Sequence, residues 1–412
     1  MVSRRPSPVR VRLGDVLEHV VVSGGGIAGT ALALALRTAG IAVTVVEARP
    51  ADHGEGAVVR LNPNAMDALR AVHAHQPVIA RSFPLVRTER INPDGSRMGY
   101  SLGADPSSQR GLPRVMHWPV LASVLREQAL ERGAVFRHGS RVVDAEVGAK
   151  TALSLADGSR VGGDVLVGAD GANSMVRGKI DPDGPEPERL GTRTVYGYAS
   201  EPGCEPPPPE VMRSYVGAKA FFAATRDSHS GGCFWFTSLR APVPRGEDQP
   251  QDPDALRAEM GELFAGDATI APTVIGNSER VLSFDDHALP SVPRWHTDRA
   301  IIIGDALHVA PPASEQGAAM ALEDGVQLAR CLRDHPTPAA ALAAFERMRR
   351  DRVEAVVAAG RMGTSRAHHR PLARRLRTLS TKTKRHFTWQ RTPPMGGGWA
   401  YDHHIDWPES TA

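Results

Sequence analysis

A chain of 412 residues, 41% hydrophobic and 23% charged, has room for two or three domains and a large core, with the balance of an ordinary globular protein. A formal net charge of +3 with no dominant basic stripe argues against nucleic acid as the main partner. Three cysteines without a CxxC spacing exclude a disulfide scaffold and point to a reduced, cytoplasmic protein.

Residues 1–18 carry paired arginines with no uninterrupted apolar run behind them. They read as a flexible lead rather than an export signal. The apolar stretch 20–46 is interrupted by Gly24, Gly25, Gly26, Gly29, Arg37 and Thr38, so no integral membrane span is expected. The same stretch carries the first chemical signal. A short strand ends in Gly24-x-Gly26-x-x-Gly29, an Ala/Leu helix follows, Gly40 closes it, and "IAVTVVE" forms a second strand ending at Glu47. This is a complete βαβ dinucleotide unit. Gly24 permits the tight turn, Gly26 lets backbone approach a pyrophosphate, and Gly29 lets the helix pack on the strands. The helix N-terminus favours phosphate, and Glu47 is placed to accept the ribose hydroxyls, which disfavours a 2′-phosphate. The ligand of this unit is therefore FAD or NAD rather than NADP.

Further along, "DVLVGADGANS" sets Asp170-Gly171 after an apolar strand, and "RAIIIGDALHVAPPASEQGAAM" sets Gly304-Asp305 after another. With the glycine turn these make three ordered motifs, supported by "LNPNAMDAL" and by the basic "FERMRRDRVEAVV". Over roughly residues 19–360 the chain resembles the flavoprotein aromatic hydroxylases of the p-hydroxybenzoate hydroxylase type, single-component FAD-dependent monooxygenases. The resemblance implies an α/β fold with a Rossmann-like FAD-binding domain, an inserted mixed β-sheet substrate domain and C-terminal helices. The FAD-binding domain is expected from 19–76, 112–182 and 284–360, the substrate domain from 77–111 and 183–283, and a C-terminal helix and tail from 361–412.

The resemblance also implies roles. Asp305 accepts hydrogen bonds from the ribityl hydroxyls, beside Gly304. Asp170 and Gly171 organise the loop near the phosphate-ribityl region where a nicotinamide passes. Pro312 stiffens the flavin loop, and Gln316, Gly317, Ala318, Ala319 and Met320 open a helix whose bare backbone and positive end face the ring. Ile27, Ala28, Ala48 and Arg60 complete the expected cofactor contacts. Glu323 and Asp324, in "ALEDGVQLA", read as ordinary helix positions. Departures from the family pattern are Val58 for a glycine, Trp118 for a flavin-contacting arginine whose contact is either lost or replaced by Arg114 or His117, and Glu315 for the first glycine of Gly-Gln-Gly. Glu315 is expected to point to solvent, since reduced flavin is anionic.

Aromatic residues are 5% of the chain yet gather in 183–283. Tyr196, Tyr198, Phe221, Phe222, Phe234, Trp235 and Phe236 are pocket candidates, of which strand alternation admits about half. Tyr196, Tyr198, Arg213, Phe222, Phe234 and Phe236 are carried forward as substrate contacts, with Arg60 and Arg213 as cations for an acidic or phenolate substrate. Among the histidines, His368-His369 and His403-His404 lack metal-ligand spacing and read as surface pairs, so no metal is expected. No acid–base pair stands out as catalytic, as suits an enzyme whose flavin carries the chemistry. The tail "MGGGWAYDHHIDW" is expected to pack near the substrate domain or a partner subunit.

The implied reaction consumes NADPH or NADH, bound transiently, and O2. It hydroxylates or epoxidises an aromatic or polyketide-like small molecule of specialised metabolism through a flavin C4a-hydroperoxide. A flavin-dependent dehydrogenase or reductase, and a non-catalytic FAD-binding protein, remain open on the same fold. The expected assembly is a monomer or homodimer.

Overall fold

A computed structural model describes residues 17–51, 56–103, 111–217, 219–241, 252–368 and 398–408. Most of the amino-terminal lead, the loop at 242–251 and the basic run at 369–397 lie outside the described residues.

The apolar strand His19–Ser23 sits at the centre of a five-stranded parallel sheet. Ala42–Val46 and Val135–Arg137 lie on one side of it, Val165–Gly168 and Ala300–Ile302 on the other. Such strands are buried on both faces, which is why they read as unbroken Val/Ile runs. The helix Ile27–Thr38 is apolar all round because it too is covered on all sides, with every residue from Ile27 to Leu36 buried. Against it packs the helix Gly317–Asp334. The approach is close: a Cβ on Gly325 would stand 2.6 Å from the backbone nitrogen of Leu32. A three-stranded antiparallel meander over 142–163 and a small sheet of Val58–Leu61, Arg114–His117 and Phe83–Pro84 flank this core.

A second, seven-stranded mixed sheet draws its strands from 87–102 and 188–288. Val211–Val216 pairs parallel with Arg87–Ile91, and the remaining pairs are antiparallel. The tight turn at 92–96 places Gly95 at φ 78° and returns the chain as Arg97–Leu102. One face of this sheet is sealed by the helices Pro253–Phe264 and Ala271–Gly276 around Phe222, Trp235 and Phe264.

The last long helix, Pro338–His368, lies along Gly317–Asp334. Residues 398–408 return over the nucleotide-binding core rather than the substrate sheet. Asp67 accepts from the amide of Ile405, Arg352 donates to the carbonyl of Ala400, and Arg333 lies over the Trp407 ring at 4.6 Å. These polar anchors sit on the nucleotide side, not on the substrate domain, one of the two expected docking places. His404 is exposed against Asp67, but His403 is half-buried. It packs over the buried Arg349, and burial there holds its imidazole down to about 4.

Candidate cofactor and substrate site

Three strand ends of the parallel sheet converge on one turn. The amide of Gly24 donates to Val46, and the amide of Ala169 donates to Ser23. Gly24 has φ +102°, and a Cβ there would fall 2.2 Å from the Ala169 carbonyl oxygen. A Cβ on Gly29 would fall 2.0 Å from the carbonyl oxygen of Gly24. Nothing stands within 4 Å of the corresponding point on Gly26. The first and third glycines therefore serve packing, and the second borders open space at a helix N-terminus. Glu47 accepts from the amides of Gly25 at 2.6 Å and Arg49 at 2.9 Å, so its carboxylate already lies beside the phosphate turn. Ala48 is exposed next to it, while Ile27 and Ala28 are buried in the core.

Gly304 adopts φ +61°, with Ala28 filling the place of its absent side chain. Asp305 follows in a short 3-10 turn. It is solvent-exposed, yet protein crowds it so closely that desolvation pushes its carboxyl up, with His308 opposing and Asp324 adding to the shift. Accessible and hemmed in together describe the wall of a deep cleft. Asp170 plays a local part: it accepts from Ser174 Oγ and from the amides of Met175 and Val176 at the start of the helix Met175–Ile180. Burial raises its carboxyl against those hydrogen bonds. Gly171, at φ +82°, borders open space.

The segment before Gly317 holds the largest departure from expectation. Glu315 does not simply face solvent. It occupies the left-handed region at φ 52°, and its carboxylate accepts from Arg60 Nη1 at 2.8 Å while its carbonyl accepts from Asn62 at 2.7 Å. The extra negative charge is thereby paired. Gln316 is buried, bound through Oε1 to Asn64, and its Nε2 has no partner among the described residues. Asn64 Oδ1 and Arg60 Nε are likewise buried and unpartnered. Pro312 is exposed, and Gly317 and Ala318 are half-buried at the helix start. Ala319 and Met320 offer only backbone to a cofactor at this helix start. Helical rotation turns both side chains into the core, where Met320 Sδ meets Arg349. Arg114 does not replace the missing arginine, because it donates to Ser82 and to the carbonyl of Ile79. Trp118 lies under Gly56 instead.

Open space at Gly26, the crowded but accessible Asp305 and the unpartnered amides near Gln316 fit a long dinucleotide with hydroxyl and carbonyl groups. Gly24, Gly26, Glu47, Asp305 and the start of the Gly317 helix are the residues that would hold it.

Strand register decides which aromatics face the cleft. Tyr196 pairs across the sheet with Phe236, and Tyr198 with Phe234, so these four share one face, joined by Phe221 and Phe284. That face meets the small sheet: Tyr198 donates to the Gly56 carbonyl at 2.5 Å, and its ring stands edge-on to His117 at 4.9 Å. In the small sheet Val58 pairs with His117 and Arg60 with Val115, which puts these four side chains on the side toward the aromatics. Phe222 and Arg213 are corrected. Phe222 belongs to the opposite, helix-covered face, stacked on Trp235. Arg213 lies there too and pairs with Glu89, whose carboxyl is held down by Arg87 and Arg213 against burial. Alternation alone leaves the choice of face open; the pairing fixes it.

Sequence reasoning offered His117 only as a stand-in for the missing arginine, and it missed the Asn62–Asn64 pair and the acids Glu323 and Asp324, which are fully buried rather than ordinary helix positions. Adjacent acids inside an apolar helix stretch, with arginines on a later helix, are the signal that points to them.

The FAD binding domain family matches residues 18–360. The chain is 32% identical over 347 residues to "Aurachin C monooxygenase/isomerase" of Stigmatella aurantiaca, covering 82% of this chain and 87% of that protein. It is 32% identical over 327 residues to the chloroplastic zeaxanthin epoxidase of Oryza sativa subsp. japonica, covering 76% of this chain but only 48% of the epoxidase. Among solved structures, Klebsiella pneumoniae HpxO complexed with FAD and uric acid superposes with a TM-score of 0.76 at 23% identity, covering 88% of this chain and 92% of that one.

Proposed function

This chain is an FAD-dependent monooxygenase of the FAD binding domain family, among the p-hydroxybenzoate hydroxylase-like flavoproteins, and we propose that it hydroxylates or epoxidises an aromatic or polyketide-like small molecule. When bound, the flavin accepts electrons from NADPH or NADH and activates O2. The observation that carries the substrate class is the two-walled cleft. Tyr196, Tyr198, Phe234 and Phe236 form an aromatic wall, and Val58, Arg60 and His117 face it from the small sheet.

Each wall has a task. The aromatic wall excludes water and stacks a planar ring at offset geometry. Arg60 is held by Glu315, so its cationic face is tempered rather than free. The His117 imidazole is held down by burial, with His229 and Arg280 adding to that effect and Asp227 opposing it. It therefore remains a neutral hydrogen-bonding group at the polar end of the pocket. Glu47, the Gly24–Gly29 turn and Asp305 grip the nucleotide, and the Gly317 helix start, with no acid in its first turn, favours negative charge on the ring.

No helix among the described residues is long and apolar enough to cross a membrane. Free cysteines at Cys204, Cys233 and Cys331 support a cytoplasmic location, and a monomer or homodimer is the assembly we infer. The deciding experiment incubates the FAD-loaded protein with NADPH or NADH, 18O2 and a panel of phenolic, quinolone and polyketide compounds. A compound that accelerates coenzyme oxidation and gains one labelled oxygen by mass supports the reading. Coenzyme oxidation that yields only hydrogen peroxide across the panel, or a product dehydrogenated without added oxygen, overturns it.

A further inference from the structure

Behind the cleft lies a cluster of charges with no solvent contact. Arg349 is fully buried on the helix Pro338–His368. Its Nη1 donates to Glu323 Oε2 at 2.6 Å and its Nε to Asp324 Oδ1 at 2.9 Å. The two acids are consecutive, so their side chains diverge by about 100° around the helix. Each reaches a different cofactor segment. Asp324 Oδ2 accepts from the amide of Gly304 at 3.0 Å and lies 2.7 Å from His308 Nε2. Glu323 Oε1 accepts from Asn64 Nδ2 at 2.7 Å, and the same Nδ2 donates to Gln316 Oε1 at 2.8 Å. One guanidinium thus joins the turn that carries Asp305 to the residue that precedes the Gly317 helix.

We infer that Arg349 is a positioning residue for the flavin nucleotide, acting through Glu323 and Asp324 to set the Gly304 turn and the Gln316 loop in register with one another. The inference rests on the reading that these two segments hold the cofactor. Buried charges keep their geometry only while paired, because an uncompensated one draws in water or a proton. Both acids are held at about 2 by Arg349 against the opposing effect of burial, with Arg352 assisting Glu323 and His308 assisting Asp324. The remaining charged or titratable neighbours are His403, 3.5 Å from Arg349 Nη1, and Asp305, which raises no positive charge of its own. Removing the guanidinium leaves Glu323 with Arg352 alone and Asp324 with only the His308 imidazole. Their protonation then rises into the neutral range, and the two segments lose register as the second acid ionises.

The test uses full-length protein and FAD affinity read by quenching of flavin fluorescence between pH 5.5 and 8.5, about the range in which such shifted carboxyls titrate. Arg349→Met is expected to weaken FAD by about tenfold at neutral pH, the loss of a buried hydrogen-bond set, and progressively more as pH rises, relative to the unmutated chain at each pH. Arg349→Lys is expected to recover most of the affinity and to flatten the pH profile. An arginine that only stabilises the fold would lower the melting temperature of the FAD-free protein and leave the affinity of the folded fraction unchanged and pH-independent; that result overturns the inference. Should Arg349→Met fail to fold, Glu323→Gln decides. It is expected to weaken FAD and alter the visible circular dichroism of the bound flavin, and unchanged affinity and dichroism count against the proposal. Asp305→Asn and Gln316→Ala separate the two levels: if both bind FAD as the unmutated chain does, the cofactor segments are misassigned; if both lose affinity while Arg349→Met does not, only the role of Arg349 falls.

Discussion

Arg60 and Glu315 meet at 2.8 Å although 255 residues separate them, and the carboxylate sits on a left-handed residue just before the Gly317 helix. The pair joins a strand of the small sheet to the loop before the Gly317 helix. It also explains how the chain accommodates an acid at a position where the resemblance implies a glycine. The left-handed backbone costs a non-glycine residue about 1–2 kcal/mol, and the ion pair with the Asn62 hydrogen bond offsets it.

Glu315→Gly is accordingly expected to keep the fold, with apo-protein stability within about 1 kcal/mol of the parent, because relief of backbone strain balances the lost pair. It frees Arg60, which the proposed reading sets next to the cofactor. The flavin reduction potential is expected to rise by on the order of 30 mV, about 1.4 kcal/mol for a two-electron couple. Reductive titration against a reference dye measures it. A potential that stays put or falls would remove Arg60 from the neighbourhood of the ring.

The three glycines of the first turn separate by role. Gly29→Ala places a Cβ 2.0 Å from a backbone oxygen, so the FAD-free protein should lose about 2–4 kcal/mol in denaturant unfolding. Gly26→Ala meets no atom within 4 Å, so the apo fold should be unchanged while FAD binding collapses. Equal effects of both substitutions on apo stability would contradict the assignment of Gly26 to the pyrophosphate.

Asp305→Ala and Glu47→Ala are each expected to weaken FAD by at least about tenfold, as loss of a charge-assisted hydrogen bond does. Equilibrium dialysis followed by the absorbance of retained flavin gives the answer. Variants that keep full colour would show that neither carboxylate grips the nucleotide.

The two faces of the seven-stranded sheet predict opposite phenotypes. Phe222→Ala empties a fully buried position between Trp235 and Phe264 and should cost about 3–5 kcal/mol of stability. Phe234→Ala, on the cleft face, should spare FAD binding and raise the Michaelis constant of whichever compound the activity screen identifies, with more coenzyme wasted as hydrogen peroxide. Reversal of the two results would mean that the cleft lies on the other side of the sheet.

His403 titrates at about 4 in the folded chain, below its ordinary 6.5, because burial against Arg349 opposes its charge. The unfolded chain then binds the proton more readily. Its contribution to stability is fully present above about 6.5 and is lost as pH falls toward 4. Residues 398–408 should loosen in that window. Hydrogen exchange at the Ile405 amide, corrected for intrinsic rate, should rise between pH 7.5 and 5, a span bracketing the ordinary histidine range, and His403→Gln should abolish the change. Identical protection at both ends would detach the tail from this titration.

The nucleotide-binding architecture was legible in local stretches of the chain. The Gly24 turn, the acid at Glu47, Asp170-Gly171 and Gly304-Asp305 are written in short stretches where strand, turn and helix follow one another, and their chemistry depends on backbone that neighbours in sequence dictate. Which aromatics face the cleft, that Phe222 and Arg213 turn away, and that Glu315, Glu323 and Asp324 carry partnered charge emerge from the folded arrangement alone. Pairing between strands fixes a face, and a buried charge is defined by a partner brought from elsewhere in the chain: Arg60 for Glu315, Arg349 for Glu323 and Asp324. Contacts across such separations leave no local pattern, because it is the packing of the helices and sheets that creates them.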